Sequence, residues 1–188
     1  IIIIVAIAIV AIWAITGYNG LVSQDETVAN SWANVEAAYQ RRADLIPQLV
    51  NTVKGYANHE KSTLDAVVSA RTKATQMTVS VDNLSEENIQ KFQEAQGEVG
   101  AAIGRLLAIT ESYPELKANE NFSELQAQLE GTENRINEVR KKYNDAVKTY
   151  NISVRRFPNN IIAGMLGFER KAEFKAEEGA SKAPEVNF

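Results

Sequence analysis

The chain reads as an all-α protein: a single N-terminal transmembrane helix followed by an antiparallel, up-and-down bundle of three to four long helices. Three observations predict this. Residues 1–15 (IIIIVAIAIVAIWAI) contain no charge and no helix breaker. Beyond them, apolar residues recur at alternating steps of four and three over most of the chain, the spacing that keeps one helix face on a partner. Ten glycines and four prolines, with β-branched residues gathered at the N-terminus, leave a composition that leans helical.

The anchor comes first. Its apolar run continues through Thr16, Gly17 and Tyr18, and eighteen residues at roughly 1.5 Å each rise about 27 Å, close to the thickness of a hydrocarbon core. Ile1, Ile4, Ile7, Ile12 and Ile15 supply lipid-facing bulk. Trp13 and Tyr18 stand near one end, where amphipathic rings favour the headgroup layer. A cleaved signal peptide would need a small-x-small site, whereas Ala14-Ile15-Thr16 runs on into glycine and tyrosine. A buried core segment would be shorter and interrupted by polar residues. The numbering opens at isoleucine, and residues upstream are expected to carry the charges that set topology. Residues 1–20 form the anchor, 21–168 the bundle and 169–188 a flexible tail.

Bulk properties exclude several classes. There is no cysteine, so disulfides, thiol catalysis, cysteine metal sites and a lipidated-cysteine anchor are all ruled out. A net charge of −4 with 23% charged residues gives no reason to expect nucleic acid, and net charge would not draw the chain to anionic lipid.

The first bundle helix is expected over residues 21–77. Its seam reads Val28, Trp32, Val35, Tyr39, Arg42, Ile46, Leu49, Val53, Tyr56, Glu60, Thr63, Val67, Ala70, Ala74 and Met77, with only Arg42, Glu60 and Thr63 departing from apolar character. Pro47 removes one backbone bond and predicts a kink near residues 44–46. A straight helix of this length would span about 85 Å and project beyond its neighbours as a stalk. Residues 78–84 lose the pattern and read as a loop. Ser85 followed by Glu86 and Glu87 starts a second helix, which runs through Ile89, Phe92, Val99, Ile103 and Leu106 to Tyr113-Pro114, where the proline ends it. Gly97, Gly100 and Gly104 share one face, predicting close approach of a neighbouring helix. Asn119 or Asn121 can cap a third helix with its seam at Phe122, Leu125, Leu129, Thr132, Ile136, Val139, Tyr143, Ala146, Tyr150, Ser153 and Phe157. Pro158 terminates it. Residues 159–168 (NNIIAGMLGF) are apolar but too short to span a bilayer. They read as a clamp folded on the bundle, an interfacial segment or a subunit contact. The charged tail is pinned by Phe174 and Phe188.

Several stretches resemble the LemA family: 17–22 (GYNGLV), 40–47 (QRRADLIP), 53–60 (VKGYANHE), 113–122 (YPELKANENF), 129–136 (LEGTENRI), Tyr143-Asn144 with Ala146-Val147, and the Phe157-Pro158 to Gly167-Phe168 ending. The resemblance covers essentially the whole chain in order. It implies a bacterial membrane protein with one N-terminal transmembrane helix and a helical bundle, and it brings no catalytic residues to carry over. It also implies a place beside membrane zinc metalloproteases or in membrane quality control.

The residues themselves offer little chemistry. His59 is the only histidine, so a two-histidine metal site within one chain is impossible, and Tyr56 stands where the Glu-x-x-His of di-iron bundles needs glutamate. No nucleophile elbow, phosphate loop or dinucleotide fingerprint is present. Glu86/Glu87 and Glu120/Glu124 read as helix caps. Arg41, Arg42 and Asp44 form one charged knot, in which Arg42 falls on the apolar seam and is expected to pair with Glu94 or Glu98 across the bundle. With Ile161, Ile162, Met165, Leu166 and Phe168 these are the candidate interaction residues. No enzyme activity, cofactor or metal is expected. The expected partners are the lipid bilayer, further copies of the chain as a homo-oligomer, and other membrane proteins. Asp25, Glu26 and Glu36 follow the anchor before the first basic pair, Arg41 and Arg42. By the positive-inside rule, with basic residues expected upstream of Ile1, this favours the bundle on the extracytoplasmic side of a bacterial inner membrane, whereas the family resemblance also implies the reverse orientation.

Overall fold

The structure, a computed structural model, describes residues 1–175. These residues form α1 (Ile2–Tyr56), α2 (Lys61–Gln76), a 3-10 turn at Val81–Asn83, α3 (Glu86–Thr110), α4 (Pro114–Lys117), α5 (Glu120–Arg155) and α6 (Asn159–Leu166), with no strand among the described residues. The first part of α1 stands alone and exposed. The rest enters a bundle whose four long limbs alternate in direction: α1 outward, α2 back, α3 outward, α5 back.

The pairings are antiparallel. On α1 and α5, Asn119 donates to the Tyr56 hydroxyl at 3.0 Å, Arg42 meets Glu133, and the rings of Trp32 and Tyr143 lie 5.4 Å apart. On α2 and α3, Lys73 pairs with Glu98 at 2.8 Å while the Tyr113 hydroxyl donates to Glu60 at 3.2 Å. The seams bury as expected: Val28, Trp32, Val35, Ile46, Leu49 and Val53 on α1, then Phe122, Leu125, Leu129, Ile136, Val139, Tyr143 and Tyr150 on α5. Phe157 leaves the seam and is 77% exposed, because α5 ends at Arg155.

The expected stalk over residues 21–77 is not one helix. It breaks at residues 57–60, and α2 folds back on α1. Gly55 weakens the last turn, Ala57 leaves helical geometry at φ −123°, ψ 50°, and Glu60 and Thr63 are two of the three polar interruptions of the seam. The apolar phase survives the turn because both limbs face the same core. Pro47 lies inside α1 without ending it. A proline has no N–H to give the carbonyl four residues earlier, here that of Ala43, and Arg71 Nε on α2 donates to that oxygen at 2.8 Å.

Caps follow the predicted chemistry. The Ser85 hydroxyl accepts from Asn88 N–H and starts α3, and the Asn119 side chain, not Asn121, accepts from Phe122 N–H and starts α5. Two apolar cores result. One gathers Trp32, Tyr39, Phe92, Tyr143, Tyr150 and Phe174; the other gathers Leu45, Leu49, Val53, Leu106, Leu116, Phe122 and Leu129. Arg42 lies between them.

Residues 169–175 are not a tail. They cross the bundle as a strap, with Phe174 pinned and only 5% exposed, so the bundle domain extends to at least residue 175. The expectation for Phe188 lies outside the described residues.

Candidate functional site

The features that distinguish this bundle lie at its junction with the anchor. Ile1, Ile2, Ile3, Ile4, Ile7, Ile9, Ile12 and Ile15 are all 60% or more exposed, a surface that water does not tolerate and lipid does. α1 runs through Gly17, Asn19 and Gly20 without a break, so anchor and bundle share one helix. Gly17 is a point of close contact. α6 crosses α1 at this point, and a Cβ on Gly17 would stand 2.8 Å from Ile162 Cδ1 and 3.3 Å from Asn159 Oδ1. At Gly20 nothing lies within 4 Å. Trp13 and Ala14 pack against the same core that takes Ile162 and Ala163, and Tyr18 meets Phe168 edge-on at 6.1 Å.

The expected apolar patch therefore splits. Ile162 faces inward and Phe168 is half-buried, whereas Ile161, Met165 and Leu166 point outward, Met165 being 80% exposed. α6 ends where Gly167 takes φ +78°, a left-handed value natural to glycine. The Phe168 N–H then turns back to the Ala163 carbonyl at 3.0 Å.

The strap is held by side chains that sequence reasoning passed over. Asn151 donates to the Lys171 carbonyl at 2.8 Å and accepts from its N–H at 2.9 Å. Asn144 treats Phe174 the same way, at 3.0 and 2.8 Å. The Tyr143 hydroxyl donates to the Ala172 carbonyl at 2.9 Å. Each asparagine offers a donor and an acceptor to an extended backbone as a neighbouring strand would. Phe174 then stacks on Trp32 at 6.0 Å and meets Tyr143 edge-on at 5.3 Å. Lys171 forms an ion pair with Asp25 at 2.7 Å and lies over the Tyr150 ring. The visible signal was Asn144 and Asn151, seven residues apart and each directly after a seam tyrosine, Tyr143 and Tyr150.

Arg41, Arg42 and Asp44 do not converge. Arg41 reaches Gln128 on α5 at 3.1 Å, and Asp44 accepts from Gln40 at 2.7 Å on the surface. Arg42 is buried, and its partner is neither Glu94 nor Glu98. It donates to Glu133 Oε1 on α5 and to both the backbone and side-chain oxygens of Gln96 on α3, each at 2.8 Å. Register decides this: on α3 it is Gln96 that sits at the seam position facing Arg42, while Glu98 is turned to Lys73. Arg42 thereby ties α3 to α5 between the two cores.

Around that tie the α3–α5 seam stays open. A groove of about 550 Å³ is lined by Gly97, Gly100, Gly104, Asn137 and Arg140. The glycine face was expected to meet a closely approaching helix. Instead nothing lies within 4 Å of a Cβ at Gly97 or Gly104, and only the Arg42 guanidinium comes near Gly100.

Ionisable groups serve structure. Burial pushes the Tyr143 hydroxyl well above its ordinary range, helped by Glu173, and takes Tyr150 to about 12, helped by Asp25 and Glu169. Burial also raises the Glu36 carboxyl, against the lowering effect of a hydrogen bond from Trp32. His59 sits in the turn between α1 and α2, exposed. Among the described residues no cluster of three or more His, Asp or Glu is arranged to hold a metal ion.

Comparison with known proteins matches residues 31–188 to a family model described as the LemA family. Magnetosome protein MamQ 2 of Paramagnetospirillum magneticum is 29% identical over 184 residues, covering 89% of this chain and 67% of that protein. Magnetosome protein MamQ of Magnetospirillum gryphiswaldense is 27% identical with the same coverage. Protein LemA of Metamycoplasma hominis is 25% identical over 160 residues, covering 85% of this chain and 69% of that protein. With these relatives and an exposed apolar helix, the chain is a membrane-associated helical protein.

Proposed function

This chain belongs to the LemA family, and from that premise we propose that it is a non-catalytic, membrane-anchored scaffold that assembles with further copies of itself. One observation carries the reading: α1 is unbroken from the apolar anchor into the bundle, with α6 packed across the junction at Gly17. A bundle held this way keeps a fixed attitude to the bilayer, so every copy presents the same lateral face. The open groove along Gly97, Gly100 and Gly104 is on such a face, and small residues let a second helix seat closely.

The proposed location is a bacterial inner membrane, crossed once, with the bundle outside the cytoplasm. What supports that side is the order of charges after the anchor, acidic at Asp25, Glu26 and Glu36 before the first base at Arg41. Accessibility of single introduced cysteines to a membrane-impermeant reagent in intact cells tests it; a bundle cysteine protected until lysis would overturn that side.

Mass photometry of the chain extracted into native-lipid discs tests the scaffold. A ladder of multiples of the protomer is expected. A strict monomer that co-purifies stoichiometrically with a membrane protease would replace the scaffold with an adaptor role.

A further inference from the structure

α6 and the end of α5 present an amphiphilic face with no partner in the bundle. Ile161 and Met165, four residues apart on α6, are 49% and 80% exposed, Leu166 is 56% and Phe157 at the preceding corner is 77%. Beside them a surface cavity of about 450 Å³ is lined by Lys148, Arg155, Arg156 and Arg170 against the single acidic group of Glu173. All four cations are exposed, and among the described residues none is engaged in an ion pair.

The anchor fixes the depth of this face. α6 packs at Gly17, between Trp13 and Tyr18, the two rings that mark the headgroup layer. The first charge on α1 is Asp25, two turns further on. Because α5 runs antiparallel to α1 and Lys171 meets Asp25, the side chains of Arg155 and Arg156 lie at the level where the apolar run ends. Apolar side chains at the acyl boundary with guanidinium groups at the phosphate layer are the arrangement of an interfacial helix.

We propose that α6 and the basic end of α5 form a lipid-binding face. Phe157, Ile161, Met165 and Leu166 enter the boundary of the bilayer that the anchor spans, and Arg155, Arg156 and Arg170 with Lys148 take the phosphates of anionic phospholipids. The net charge of −4 does not oppose this, since attraction to a membrane surface falls off within a Debye length and is set by local charge. The inference rests on the membrane reading but not on self-assembly.

The full chain, which has no native cysteine, allows single nitroxide labels in discs of phosphatidylcholine with and without phosphatidylglycerol. Collision with oxygen and with a water-soluble nickel chelate reads depth at Met165→Cys, with Ile7→Cys as the anchor control and Ser123→Cys as the bundle control. Expected is Met165→Cys rich in oxygen and poor in nickel contact, intermediate between the controls. Nickel contact equal to that at Ser123→Cys overturns the proposal, and shielding from both reagents overturns it in favour of a second protein copy. A water-exposed Ile7→Cys would instead reject the anchor itself. In a second arm, retention of phosphatidylglycerol through purification is compared in R155Q/R156Q/R170Q. Preference over phosphatidylcholine should fall about fivefold for each arginine removed, and unchanged retention would overturn the phosphate assignment.

Discussion

Arg71 Nε donates to the Ala43 carbonyl at 2.8 Å, the oxygen that Pro47 cannot serve because it has no N–H. A gap in the helix's hydrogen-bond ladder is thereby closed from outside by a side chain of α2. Removing the guanidinium in Arg71→Ala leaves a partly buried carbonyl unpaired and should cost about 1–3 kcal/mol in chemical denaturation. In the Pro47→Ala background the helix regains its own donor, so the same substitution should cost measurably less. Equal costs in both backgrounds would mean the two residues are uncoupled.

Arg42 holds the α3–α5 seam at one level through Glu133 and Gln96. Arg42→Ala should cost about 2–4 kcal/mol, since it strands Gln96 and opens a gap between the two cores. Glu133→Gln should cost far less, as that carboxylate is 46% exposed and water replaces its partner. Comparable losses for both variants in urea titration would show that the ion pair, not the burial of arginine, matters.

Phe174 joins the strap to Trp32 and Tyr143. Phe174→Ala should destabilise by about 3–5 kcal/mol and should change the emission of Trp32, which is fully buried against it. Faster amide exchange over residues 169–175, with α5 still protected, is the local sign expected.

Gly17 sits where α6 crosses α1. An added methyl meets the mobile end of Ile162, so Gly17→Ala should be nearly neutral, helix propensity offsetting the displacement. Gly17→Leu should push α6 away and speed amide exchange over Asn159–Leu166. Gly20→Leu, with open space around it, should leave α6 in place.

Tyr143 and Tyr150 bind their protons more tightly in the fold than in the unfolded chain. Their folded pKa values are raised, so the stability they contribute is complete below about pH 10 and is lost as pH rises toward 12 and beyond. Absorbance of tyrosinate on alkaline titration should show both among the six tyrosines ionising late, together with loss of helical signal.

Local sequence was enough for the class, the seams of α1, α3 and α5, the cap at Ser85 and the apolar run of the anchor, because each depends on local periodicity, on composition or on a single side chain meeting its own backbone; it narrowed the cap of α5 to Asn119 or Asn121 without choosing between them. Tertiary structure decided the rest. A hairpin between α1 and α2 preserves the same apolar phase as a straight stalk, so Gly55 and Glu60 were readable as a turn only once both limbs were seen on one core. Arg42 announced its burial but not its partner, since Glu94, Gln96, Glu98 and Glu133 are distinguished only by how α3 and α5 are rotated against α1. Gly17 read only as part of the apolar run, yet Ile162, 145 residues away in the chain, is what stands against it, and the glycine face of α3 looked closed although the packing leaves it open. Periodicity reports which side of a helix is buried. It carries no information about what stands opposite, and in this protein the junction, the strap and the groove are all made by what stands opposite.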